Sequence, residues 1–217
     1  MIVKVVAFIP VKLNNERLPN KNIKIFDNGK PLIFYTLDTI TKVTGIDEIY
    51  VYCSSDEIKA YLPNHGVSFL KRPDYLDKQT AGGLDLIDAF RNDIEADIYM
   101  KIHATSPFIK IKSFEKGLNA VRSKKYDSAF PVTVNHEFLW INGLPNYDVN
   151  NIPRTQDLTP FYIETTAYYI YTRQLAEQRR RIGDNPFLVE ISKIEAIDIN
   201  EPIDFEIANA CLNILYW

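Results

Sequence analysis

The stretch IVKVVAFIPVKLNNERLPNKN, residues 2–22, sets the architecture of this chain. The apolar run from Ile2 to Ile9 reads as a buried strand, and at Pro10 it empties into a loop bearing Lys12, Arg17 and Lys21 with Asn residues between them. Cations packed this closely suit a polyanion held by backbone and side chains together. The loop after the first strand of an open α/β sheet also lies where such sheets bind ligands.

Beyond the loop, helical and strand patterns alternate. Pro31 to Val43 places Leu32, Ile33, Leu37 and Ile40 on one helical face. Glu48 to Cys53 alternates as a strand, and Ser54 with Glu57 has capping-box spacing for a helix to about Leu62. Val67 to Leu70 and Ile98 to Ile102 read as strands, and Leu84 to Ile94 and Ile111 to Arg122 as helices. Alternation of this kind predicts an α/β fold with a doubly wound, mainly parallel sheet.

From Ser128 the pattern changes. Phe130 to Val134, Phe138 to Ile141 around Asn142-Gly143, and the polar stretch to Thr159 predict a small antiparallel lobe over 128–159, inserted in a single domain spanning 1–217. Tyr168 to Tyr171 and Leu188 to Ile191 resume strands, Arg173 to Arg181 reads as helical, and Pro202 to Leu215 as a closing helix.

At 217 residues, 46% apolar and 24% charged, the chain can bury a full core. A net charge of −3 gives no global basic field, so nucleic acid is not an expected partner. No apolar stretch approaches a membrane span, and Cys53 and Cys211 follow neither a zinc nor a disulfide spacing, so a cytoplasmic location is expected. His65 and His136 have no ligand-like spacing. Arg179-Arg180-Arg181 reads as a solvated helix end. With 8 glycines and no glycine-rich phosphate fingerprint, a dehydrogenase or P-loop ATPase is disfavoured. Polar residues after predicted strands, Lys12 to Lys21, Ser54 to Asp56, His103 to Ser106 and Asp198 to Asn200, converge on one sheet edge.

These residues resemble a known family. Ile9-Pro10-Val11-Lys12 through Arg17-Leu18-Pro19-Asn20-Lys21-Asn22 resembles the nucleotide loop I-P-A-R-x-x-S-x-R-L-P-x-K-N of sugar cytidylyltransferases. His103-Ala104-Thr105-Ser106-Pro107 resembles their L-Q-P-T-S-P segment, and Arg154 with Gln156-Asp157-Leu158 their R-Q-D-L segment. Glu164 to Ile170 resembles E-N-G-A-F-Y-I, and Asp198 to Asp204 resembles D-I-D-T-P-E-D. The five segments follow family order, and the closest group is the acylneuraminate cytidylyltransferases, with the synthetases of CMP-Kdo more distant.

The resemblance implies that CTP and an acidic nine-carbon ulosonic sugar give the CMP-sugar and pyrophosphate, with Mg²⁺ as cofactor and a homodimer formed through the lobe. It assigns Lys12, Arg17 and Lys21 to the triphosphate, and Asp198 and Asn200 to the metal. Thr105 and Ser106 are expected beneath nucleotide or sugar, His103 in place of a substrate-contacting Gln, and Arg154, Gln156 and Glu164 around the sugar, with Arg154 facing its carboxylate. Glu16 stands where relatives carry Lys, and is expected to point away from the phosphates. Thr165 and Thr166 replace an Asn-Gly pair of the sugar pocket. Two rivals stay open: a nucleotidyltransferase for another sugar, and a catalytically weak nucleotide-binding homologue. A glycosyltransferase is less favoured, because no Asp-x-Asp follows Ile98 to Ile102.

Overall fold

A computed structural model describes residues 3–62 and 66–215, with side chains to 212. Ile2 and His65 lie outside the described residues. The first strand, β1 (Val5–Val11), is buried almost throughout, as a strand covered on both faces must be. Val5, Ala7, Ile9 and Val11 pack against helix α1 (Leu32–Ile40) and helix α3 (Ile111–Arg122), through Ile33, Leu37, Ile40, Phe114, Leu118 and Val121. Val6 and Phe8 point the other way, toward α2 (Gly83–Asp93) and α4 (Arg173–Glu177), where Phe8 stacks on Phe90 with ring centroids 4.1 Å apart. The period-2 alternation of one strand thereby builds two cores.

Around β1 lie β2 (Glu48–Cys53), β3 (Ser68–Lys71), β4 (Ile98–Ile102), β5 (Ser128–Asn135), β8 (Phe161–Glu164), β9 (Tyr168–Thr172) and β10 (Pro186–Glu190). The order is β3-β2-β1-β4-β9-β5-β10, with β8 paired to β5. β3, β2, β1 and β4 run parallel; β9 is antiparallel to both β4 and β5, and β10 is parallel to β5. The chain winds outward from β1 to β3, then returns to place β4 on the other side of β1. That reversal opens a crevice at the carboxyl ends of β1 and β4.

Several expectations shift. β5 belongs to the main sheet, where it is buried between β9 and β10, so within 128–159 only the part beyond Asn135 stands apart. Its hairpin, β6 (Trp140–Ile141) and β7 (Leu144–Pro145), turns at Asn142 and Gly143, whose φ of 52° and 79° is the left-handed pair such a turn requires. The helix expected from Arg173 to Arg181 stops at Glu177, with Arg179 left-handed at φ 56°. Asp56–Tyr61 is a 3₁₀ turn capped by Ser55, whose Oγ accepts from the Glu57 N–H at 3.3 Å; Ser54 is drawn instead to Asp77. Pro31 caps α1 in an extended conformation and does not enter its first turn. The closing helix α5 (Pro202–Leu215) lays Phe205, Ala208 and Leu212 against Leu18, Phe26, Leu32 and Ile199, a third cluster that supports the cationic loop. Among the described residues no helix is long and apolar enough to cross a membrane.

Candidate active site

The crevice holds a cavity of about 430 Å³ bounded by the β1 loop, the stretch from Arg72 to Leu86 that enters α2, the end and exit of β4, and Arg181. Lys12, Asn15, Lys21 and Asn22 come from the β1 loop, Arg72 from the end of β3, Lys101, His103 and Thr105 from β4 and its exit, and Arg181 from the connection before β10. A neighbouring groove of about 310 Å³ shares Gln79 with this cavity and adds Glu16, Arg17 and Asn200.

The loop is held in place from several sides. Asn20, left-handed at φ 53°, turns the chain into the 3₁₀ turn Lys21–Ile23, a conformation Asn tolerates better than most residues. Lys21 is 8% exposed, and its Nζ donates to the Ile199 carbonyl at 2.7 Å. Burial lowers its pKa, the Arg17 charge lowers it further, and Asp198 and Asp204 oppose the shift. Asn22 Nδ2 donates to the Lys12 carbonyl at 2.9 Å, and Lys12 Nζ to the Asp77 carbonyl at 2.6 Å. Arg17 reaches Asn200 Oδ1 at 3.0 Å. The loop that follows β1 is thus clamped to residues nearly the whole chain away.

Asp198 is the focus of that distant segment. Its Oδ1 accepts from the hydroxyls of Thr105 and, at 3.5 Å, Ser106; its Oδ2 accepts from Thr166 Oγ1 at 3.4 Å and Asn200 Nδ2 at 2.6 Å. The Ile199 N–H donates to the Thr105 carbonyl at 2.9 Å, so the exit of β4 and the Asp198 loop form one floor. One carboxylate flanked by hydroxyls suits a hard cation that takes its remaining ligands from phosphate and water. Asn200 accepts from Arg17 through its carbonyl oxygen and donates to Asp198 through its amide nitrogen, so in this structure it braces the loop. Among the described residues no group of three or more His, Cys, Asp or Glu side chains forms a metal cluster.

Of the expected site residues, Lys12, Arg17, Lys21, His103, Thr105, Ser106, Asp198 and Asn200 come together. Glu164 stands beside them, accepting from Tyr169 Oη at 2.5 Å and Arg181 at 3.4 Å. Arg154 and Gln156 do not join. They sit in the exposed turn Thr155–Asp157 and its cap, where the Arg154 guanidinium closes on Asp157 with bonds of 2.8 and 3.1 Å. Neither lines the cavity. Glu16 lies on the groove rim, its carboxylate held by Gln79 Nε2 at 2.8 and 3.0 Å. His103 is pulled down to about 3 by burial first and then by the Lys101 charge, so its imidazole is neutral near pH 7.

Three cationic residues escaped the sequence reading. Arg72, 3% exposed, pairs with Asp77, yet its Nε and the nearby Asn15 Oδ1 are buried with no partner inside the protein. Unmet groups on a cavity wall are what a polar ligand satisfies. Lys101 is 2% exposed and interrupts an otherwise apolar β4, a break in pattern that was visible in the sequence. In the Arg179-Arg180-Arg181 run, Arg179 and Arg180 do form surface pairs, with Asp85 and Asp184; Arg181 turns inward over the Tyr169 ring at 4.0 Å.

The pattern of the cytidylyltransferase family matches residues 6–206. The chain is 28% identical over 214 residues to the N-acylneuraminate cytidylyltransferase of Oncorhynchus mykiss, covering 94% of this chain and 49% of that protein. It is 28% identical over 182 residues to the 3-deoxy-manno-octulosonate cytidylyltransferase of Escherichia coli, covering 83% and 70%. It therefore spans about half the length of the N-acylneuraminate enzymes it matches. In fold it is similar to a CMP:2-keto-3-deoxy-manno-octonic acid synthetase solved with CTP, at TM-score 0.73 and 17% identity over 97% of this chain and 98% of that one. A 4-diphosphocytidyl-2C-methyl-D-erythritol synthase from Anaerococcus prevotii superposes at TM-score 0.68 with 19% identity, over 97% and 96%.

Proposed function

Because the chain belongs to the cytidylyltransferase family, we propose that it transfers the CMP unit of CTP to the anomeric hydroxyl of an acidic ulosonic sugar and releases pyrophosphate. The observation that carries this reading is the clamp between the cationic loop and the Asp198 segment, through Lys21 to Ile199 and Arg17 to Asn200. It brings the cations of the β1 loop beside Asp198 and its hydroxyl neighbours, and positive charge next to a carboxylate able to hold a cation is what phosphoryl transfer asks of a protein.

In the reaction the sugar hydroxyl oxygen forms a bond to the α-phosphorus, the bond from that phosphorus to the pyrophosphate oxygen breaks, and the hydroxyl proton leaves to water. Lys12, Arg17 and Lys21 hold the triphosphate and stabilise charge gathering on the leaving group. Asp198, with the Thr105 and Ser106 hydroxyls, would hold Mg²⁺, which supplies positive charge at the phosphoryl oxygens. Neutral His103 gives one donor and one acceptor to the substrate at the cavity wall. Glu164, fixed by Tyr169, faces the acceptor. Arg72 Nε and Asn15 Oδ1 find partners in the bound nucleotide.

Incubating the chain with CTP, Mg²⁺ and sialic, legionaminic, pseudaminic or Kdo-type acids is expected to release pyrophosphate with at least one acid. Release with none of them overturns the assignment. We read the exposed hairpin side chains Trp140, Ile141 and Leu144 as the face through which two copies associate.

A further inference from the structure

Lys101 is the most exceptional charge in the described chain. Its ammonium has one acceptor, the Gly83 carbonyl at a long 3.4 Å, and enters none of the ion pairs among the described residues. The charge nearest in effect is a like one, Arg181. The amino-terminal end of α2, where the helix dipole is positive, reaches the same wall at Gly83. A side chain on Gly83 would begin 3.1 Å from Lys101 Nζ and 3.8 Å from an Arg181 guanidinium nitrogen, so its absence leaves open the space where the two cations meet. Glu164 touches Arg181 only at 3.4 Å and is shared with Tyr169, which leaves Lys101 without an anion.

Resting on the function proposed above, we infer that Lys101 and Arg181, with the gap left by Gly83, form an anion subsite distinct from the β1-loop cations, and that it takes the carboxylate of the acceptor sugar. The planar guanidinium lies over the Tyr169 ring, which fixes its plane for the paired N–H bonds a carboxylate accepts. The ammonium closes from the side. Arg154, the residue expected to meet this carboxylate, is spent on Asp157 outside the cavity. The phosphates have their own cations on the β1 side of β4, and Arg181 stands on the β9 side. One ligand chemistry, a compact anionic oxygen group, could come from acceptor or nucleotide, and the two sources separate by titration.

Calorimetry with N-acetylneuraminate, with 3-deoxy-manno-octulosonate and with CTP, on the unaltered chain and on Lys101→Met, Arg181→Met and Gly83→Ala, tests this. Arg181 is one-third exposed, so its replacement leaves folding intact and keeps the test open if Lys101→Met misfolds. The subsite predicts about tenfold or greater loss of affinity for the bound acid in each folded variant, the scale of a lost charge-assisted bond, and CTP affinity within about twofold. Loss of CTP affinity with acid affinity kept assigns these cations to the nucleotide and overturns the inference. Unchanged affinity for both, with pyrophosphate still released, overturns the subsite alone. No acid bound by the unaltered chain, and no pyrophosphate released, overturns both readings.

Discussion

Lys21 ties the β1 loop to the Ile199 carbonyl through the same ammonium that the proposed function places on the triphosphate. Lys21→Ala is therefore expected to lower turnover by about 100-fold or more, from lost transition-state charge. Unfolding by denaturant should show a stability loss of only about 1–2 kcal/mol, from the carbonyl left without its donor. Lys101 predicts the opposite balance. Burial and Arg181 bring its pKa down to about 8 from 10.5, so the unfolded chain holds this proton more tightly than the folded one. The cost is fully present below pH 8 and is relieved as pH rises from 8 to 10.5, the window in which the folded group is neutral and the unfolded one still charged. Lys101→Met should consequently stabilise the protein by about 2–3 kcal/mol at pH 7, with the advantage over the unaltered chain shrinking toward pH 10.5. Thermal unfolding of the two proteins across that range checks both sign and window.

Helix α3 is anchored from a distance. Burial pushes the Glu195 carboxyl up, but bonds from Ser113 Oγ at 2.6 Å, the Lys110 N–H at 3.2 Å and Ser192 outweigh it and leave its pKa lowered. This carboxylate, 5% exposed, satisfies the amino-terminal end of α3 that no local side chain caps. Glu195→Ala should cost about 2 kcal/mol at pH 7 by denaturant unfolding. The cost should fade as acid protonates the carboxylate in both states, because a lowered carboxyl pKa stabilises only above its folded value. Elements of this kind separate what sequence pattern carries from what it omits. β1, β2, β4, α3 and α5 were legible because local periodicity and burial agree in them. The short strand Phe161–Glu164 was not, since it is exposed along most of its length and owes its conformation to pairing with β5. The helix after Thr172 looked four residues longer than it is, because Arg179 takes a left-handed turn that its identity does not announce.

Across the whole molecule, the candidate site is assembled from segments that the winding of the sheet brings together at the reversal between β1 and β4. Position along the chain was legible for the cationic loop, the Thr105-Ser106 exit and Asp198, because each follows a strand and carries a motif. Lys101 and Arg181 were missed because one hides inside a strand and the other inside a run whose first two members really are solvated. Arg154 and Gln156 show the converse: a motif match fixes order in sequence, and the exposed turn that bears them keeps them out of the cavity of their own chain. The apolar hairpin nearby exposes Leu144 at 72% and Ile141 at 59%, more apolar surface than a solitary tip would favour. Leu144→Glu should shift the sedimentation of the chain from dimer to monomer, and a unaltered chain that sediments as a monomer at micromolar concentration would rule out association through this face. Chemistry is examined by one assay above all: the rate of pyrophosphate release from CTP and Mg²⁺ with a ulosonic acid, for the unaltered chain beside Asp198→Ala. Acid-dependent release, with CMP-sugar formed in equal amount and a loss of about 100-fold or more in Asp198→Ala, is the predicted result. Release that ignores the acid, or that persists unchanged without the Asp198 carboxylate, would contradict it.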